Sequence, residues 1–169
     1  MKYLILAVTA LCFPVVVFCQ DITGLWTGTL YNDSTQQSLP YEIFIRKDKG
    51  KYSGFSQTWV LVDEKKYYAI KKINIRIAKD GKVIIQDAAL TENNYPSSPD
   101  KNVIQLNVLN VVNEDNETSL NGVFVTNRSK YYRELTGRID LKRTSVSIAG
   151  GLMQYVQKNG SGAEITAAK

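Results

Sequence analysis

Histidine is absent from the 169-residue chain, and its two cysteines, Cys12 and Cys19, both fall within the first 20 residues. Without histidine the chain lacks the side chain that titrates near neutrality and the commonest transition-metal ligand. Beyond Cys19 there is no thiol to act as nucleophile, to bind zinc or to form an internal disulfide, so the remainder must be held by burial and hydrogen bonding alone. Tryptophan occurs only at positions 26 and 59, and there are four prolines. No glycine-rich loop leads into a helix as a phosphate cradle requires, and no ten-residue stretch carries a convincing helical apolar period. The formal charge is +5, or +4 without Lys2, but the cations are scattered through short turns such as "RKDKGK" and "DEKK". A nucleic-acid partner is therefore not expected, because such a face needs a concentrated basic stripe with interleaved aromatics.

The chain does possess an export-type leader. In "MKYLILAVTALCFPVVVFCQ", Lys2 supplies the charge, residues 4–18 the apolar run, and Val17 and Cys19 are small enough to precede a cut. Residues 1–20 are accordingly read as a signal peptide, 21–145 as a β-barrel domain and 146–169 as a polar C-terminal tail. The apolar run is shorter than the roughly 20 residues of a helical membrane span, so no transmembrane segment is expected after processing. The expected location is secreted or periplasmic, with lipid attachment at Cys19 as the alternative. Phe18 is bulkier than the residue that usually precedes a lipidated cysteine.

From residue 24 onward the pattern has period two. In "GLWTGTLYND" Trp26, Gly28 and Leu30 share one face, and Tyr41, Ile43 and Ile45 do the same in "YEIFIRK". "KDKG" and "AKDGK" are hairpin turns, and "TENNYPSSPD" is a loop with little that could be buried. Lysines 71 and 72 interrupt the alternation in "YYAIKKINIRI", which predicts a bulge there. Eight successive antiparallel strands result, with mostly short connections. They predict an all-β, eight-stranded up-and-down barrel, whose closure removes the strand edges; a two-sheet sandwich has the same alternation. Gly28, Gly122 and Gly137 lie on the inward phase. They either leave room for a ligand or relieve crowding where a small barrel bends.

"DITGLWTG" followed by eight meandering strands resembles the calycin superfamily, the lipocalin- and avidin-type secreted barrels, and is similar to short exported bacterial proteins of that form. The resemblance implies that Trp26 closes the base of the barrel under a basic side chain from the last strand. Arg143 is the residue in phase for this, with Arg138 competing. It implies a fold more than a chemistry: two tryptophans do not match the biotin cage of avidins, and the cysteines of many lipocalins are missing.

Carboxylates are the remaining catalytic groups, among them Glu42, Asp87, Glu92, Glu114, Asp115, Glu117 and Asp140. Paired carboxylates at the right separation hydrolyse glycosides, but "NEDNE" reads as a solvated turn and lacks the spacing of a calcium loop. No cofactor, metal site or catalytic residue is assigned. Outward-phase Glu42, Arg46, Asp140 and Lys142 break the apolar band that a lipid-facing barrel needs. The aromatics favour recognition, since tyrosine offers a flat apolar surface with a hydroxyl handle. Tyr41, Tyr52, Trp59, Tyr68, Phe124 and Tyr132 are the candidate ligand contacts, and Trp26, Gly28 and Arg143 the structural set. The function expected is noncatalytic binding of a small apolar or amphipathic molecule in the barrel, or of an extracytoplasmic protein at its rim. The alternatives are a structural protein with a filled barrel and a carboxylate-dependent hydrolase. Intact-mass measurement of protein from its native host is expected to show removal of the leader near Cys19 or Gln20. Retention of residues 1–18 contradicts soluble export, and acyl increments on an N-terminal Cys19 identify the lipoprotein form.

Overall fold

The computed structural model describes residues 21–99, 102–115, 117–145 and 150–159. The leader, with Cys12 and Cys19, and residues 160–169 of the tail lie outside the described residues. Eight strands, β1 (Gly24–Asn32), β2 (Gln37–Asp48), β3 (Lys51–Val62), β4 (Lys65–Ile77), β5 (Val83–Asn93), β6 (Gln105–Glu114), β7 (Glu117–Thr126) and β8 (Thr136–Thr144), form a closed antiparallel barrel in sequence order. β1 pairs with β2 on one side and β8 on the other, which distinguishes the barrel from a sandwich. The architecture is consistent with a calycin-like fold.

Tight turns set the registers. Lys49 and Gly50 both have positive φ, 47° and 81°, the handedness that matches the twist of the flanking strands. β2 begins at Gln37 rather than at Tyr41 as the sequence pattern suggests, and it includes Pro40. β2 pairs with β3 only from Tyr41 and Thr58 onward, so at Pro40 its β3 side is a free edge, which tolerates a missing N–H.

The β4–β5 register does shift beside Lys71 and Lys72, but the extra residues, Ala88 and Thr91, belong to β5. β3 and β4 pair without interruption through the lysines. Lys71 therefore keeps the inward phase of Ile73 and Ile75 instead of slipping out of it.

Trp26, Leu30, Tyr41, Ile43, Ile45, Ile73, Ile85, Leu109, Leu120, Phe124, Ile139 and Leu141 form one buried interior cluster. At the base of the barrel Trp26 is fully buried, and its indole N–H donates to the Ile22 carbonyl oxygen at 3.0 Å. The Arg143 guanidinium stands 4.8 Å from the Trp26 ring centroid and donates to the Asp21 carbonyl, while Arg138 stands over Tyr31 on the outer wall.

The glycines report close approach of strands. A Cβ on Gly28 would run into the Asp140 carbonyl, and one on Gly54 into that of Phe44, both well inside 3.0 Å. They mark places where the wall bends so sharply that neighbouring backbones leave no space for a methyl group.

Within the stretch read as a polar tail, α1 (Gly151–Asn159) packs against the outer wall, burying Leu152, Met153 and Val156 on Leu25, Phe55 and Ile70. This second apolar cluster lies outside the barrel. No helix among the described residues is long and apolar enough to cross a membrane.

Trp26→Ala is expected to cost about 3–5 kcal/mol, as for other large-to-small core changes. Gly54→Ala is expected to cost about 1–3 kcal/mol through overpacking. Both appear as lower urea midpoints at unchanged slope, and an unchanged midpoint for Gly54→Ala contradicts the crowding read from the backbone.

Candidate functional site

The end of the barrel opposite Trp26 is lined by polar side chains on the inward phase. Asn107 on β6 donates through Nδ2 to the Tyr41 hydroxyl at 3.0 Å, and Gln105 donates through Nε2 to Asn107 Oδ1 at 2.8 Å. The Ser56 side chain hydrogen-bonds the same tyrosine hydroxyl. Tyr41, Ser56, Gln105 and Asn107 are all buried. Burial above all, and then the nearby Asp87 charge, raise the Tyr41 pKa, so its phenol stays neutral; the Asn107 and Ser56 hydrogen bonds oppose the shift only in part.

An ion pair adjoins this cluster. Lys71 Nζ lies 2.5 Å from Asp87 Oδ2, with the two side chains 20% and 9% exposed. The Gln105 backbone N–H donates to the same carboxylate oxygen at 3.1 Å. Two local features place Asp87. The β-bulges of β5 begin immediately after it, and β5 pairs with β6 only from Val83 to Gln86, so at Asp87 the two strands part. The polar cluster thus sits where the barrel wall opens.

One residue of the β5–β6 connection, Tyr95, reaches this opening. Tyr95 is half-buried and hydrogen-bonds Thr58 on the inner face of β3. Its pKa is raised chiefly by burial, with Asp87 and Tyr132 adding to the shift and the Thr58 hydrogen bond opposing it. The sequence reading assigned this loop little that could be buried; Tyr95 corrects it. Asn127 ties the β7–β8 connection to the same rim, accepting from the Ile104 N–H at 2.6 Å and donating to the Asn102 carbonyl at 2.8 Å.

The six aromatic candidates do not converge. Tyr41 and Phe124 belong to the interior, while Tyr52 packs on its lower part with Lys47 Nζ 4.9 Å from its ring centroid. Trp59 and Tyr68 are cross-strand partners on the outer face; Lys66 stands 5.4 Å from the Trp59 ring centroid, and Tyr68 donates to Glu92 Oε1 at 2.7 Å. Tyr132 lies on the rim, 53% exposed. The residues that do meet are Tyr41, Ser56, Lys71, Asp87, Gln105 and Asn107, with Tyr95 above them. Of these only Tyr41 is among the candidate ligand contacts. The available signal was a polar residue on the inward phase of a strand: Ser56 with Gly54, Lys71 with Ile73, Asp87 with Ile85, and Asn107 with Leu109.

Among the described residues no group of three or more His, Cys, Asp or Glu side chains could hold a metal ion. Asp87 is bound to a lysine, Glu92 faces outward to Tyr68 and Glu42 lies under α1. Comparison with protein-family models, with curated proteins and with solved structures gives no match, so function must be argued from these side chains.

Lys71→Met leaves the Asp87 carboxylate almost buried and without its cation, and is expected to cost about 3 kcal/mol in urea denaturation. Lys71→Met combined with Asp87→Asn removes both charges while keeping an acceptor for the Gln105 N–H, and is expected to recover most of that loss. A double variant as unstable as the single one contradicts a charge-based account.

Proposed function

We propose that the chain is an exported, noncatalytic binding protein that takes a small amphipathic ligand at the polar end of its barrel. The observation that carries this reading is the convergence of Lys71, Asp87, Gln105, Asn107 and Tyr41 where β5 and β6 separate. Such a site combines an apolar wall with a few oriented polar groups, the usual composition of a small-molecule pocket. The ligand's polar group meets Lys71 and the Gln105 amide, and its apolar part lies beneath Tyr95 against Leu30 and Phe124. The closely packed lower interior and the crowded glycines favour a shallow site over a deep cavity.

A second reading, an interaction protein with a filled barrel, draws on the outer wall. Leu106, Val108, Val123 and Val125 line an open groove beside Arg138, and Val123 is 55% exposed. Exposed apolar groups grouped in this way are a common mark of protein contact.

Titration with a dansyl-labelled fatty acid, followed by fluorescence and by amide chemical shifts, separates the two. The first reading expects saturable binding that shifts Gln105, Asn107 and the Tyr95 loop and weakens at least tenfold in Tyr95→Ala. Shifts confined to Val123 and Val125, or no saturable binding by amphiphiles of different head group and length, overturn it.

A further inference from the structure

On the outer wall, away from the polar end of the barrel, Glu42 in β2 and Gln57 in β3 are cross-strand partners beneath the start of α1. A Cβ on Gly150 would lie 2.7 Å from Glu42 Oε1, and one on Gly151 would lie 3.4 Å from the Gln57 amide. Gly150, immediately before the helix, and Gly151, its first residue, therefore rest directly on this polar pair. It has no acidic residue in its own first turn, and the Leu152 N–H donates to Glu42 instead. A strand residue thus serves the helix as its N-terminal cap.

The cap is incomplete in a specific way. Among the described residues, neither Glu42 Oε2 nor Gln57 Oε1 has a hydrogen-bond donor although both atoms are buried, Gln57 being only 4% exposed. Two acceptors on paired residues are satisfied together by one proton: a protonated Glu42 donates from Oε2 to Gln57 Oε1. We propose that Glu42 and Gln57 form a proton-controlled latch that holds α1 on the barrel when Glu42 is protonated and releases it when the carboxylate is charged.

Among the described residues no charged group acts on the Glu42 carboxyl strongly enough to neutralise it. The neighbours on the same face are Thr27 and Leu25 of β1, Phe44 and Arg46 of β2, Phe55 and Trp59 of β3, and Ile70 and Lys72 of β4; the Arg46 Nε–H donates to Ser53 Oγ at 3.5 Å. On β8 the nearest cation, Lys142, pairs with Glu117 at 2.6 Å, and Lys158 lies in the last turn of α1. Residues 146–149, which precede the helix, are Val, Ser, Ile and Ala in sequence. Burial raises the Glu42 pKa above its ordinary 4.5, and the Leu152 hydrogen bond opposes this only in part. An acid with a raised pKa in the docked state stabilises docking below its ordinary value and loses that contribution as pH rises through the raised one. Docking is therefore tightest in mild acid, and release at higher pH uncovers Leu25, Phe55 and Ile70.

The test follows the side-chain carboxyl signal of Glu42 and the amide signals of Leu152, Met153 and Val156 by NMR as pH rises from 4, together with the fluorescence of added 1-anilinonaphthalene-8-sulfonate. In the wild type the helix signals are expected to move with the Glu42 titration while β1–β8 pairing stays intact, and probe fluorescence is expected to rise severalfold. Glu42→Gln, whose amide can donate to Gln57 at every pH, is expected to stay docked throughout. Gly150→Ala, which pushes into the Glu42 carboxylate, supplies the undocked reference. Titration of Glu42 at or below 4.5, helix signals that ignore it, or an unchanged pH response in Glu42→Gln overturns the latch.

Discussion

Gly28 in β1 lies opposite Leu141 in β8, and the neighbouring Asp140 carbonyl occupies the space that a methyl group on Gly28 would need. This approach occurs at the pair of strands that closes the barrel, so closure depends on a residue with no side chain at that point. Once β1 and β8 pair, Trp26 lies opposite Arg143, and the indole is held between the interior cluster below and the guanidinium above. The same crowding recurs at Gly54, Gly122 and Gly137. Curvature distributed over four strands brings the large inward side chains of opposite walls into contact, and a barrel of eight strands is narrow enough for them to fill.

At the other end the core has to accommodate polar groups without water-filled space around each one. It does so by mutual satisfaction: the Tyr41 hydroxyl accepts from Asn107, Asn107 accepts from Gln105, and the Gln105 backbone donates to Asp87. A buried polar network of this kind orders its members only when nearly every donor has an acceptor. The irregular β4–β5 register is part of that economy of position, because the bulges follow directly after Asp87 and leave its carboxylate facing Lys71 while β5 turns away from β6.

Period-two alternation made the strands legible in sequence, since buried apolar residues alternate with more exposed ones along β2 and β8. What alternation could not assign was ownership of a register shift. Lys71 and Lys72 looked like the disturbance because they are charged, whereas the extra residues are the inconspicuous Ala88 and Thr91 across the ladder. The helix was hidden for a similar reason: Leu152, Met153 and Val156 make only one short apolar stripe, and it acquires meaning from Leu25, Phe55 and Ile70, which are far away in sequence. The polar end was obscured because the eye follows aromatic residues, of which Trp59 and Tyr68 point outward and Tyr132 lies on the rim. A polar residue on an inward phase was the more informative signal, but its partners come from different strands.

Asp87 and Glu42 show how differently one chain treats two carboxylates removed from water. Asp87 receives an ammonium group and a backbone N–H on one oxygen, so its charge is matched where it is buried. Glu42 receives one N–H, faces an amide oxygen without a donor and, among the described residues, is not paired with a cation. The first arrangement fixes a charge and with it the shape of the barrel's polar end. The second leaves a proton as the simplest way to complete the hydrogen bonding. Because Gly150 rests on Glu42 and Gly151 on its partner Gln57, any change in that carboxyl is transmitted to the helix without an intervening side chain. A barrel whose interior is closely packed has little freedom to respond inside, and a short helix on its outer wall is the element with the least holding it in place.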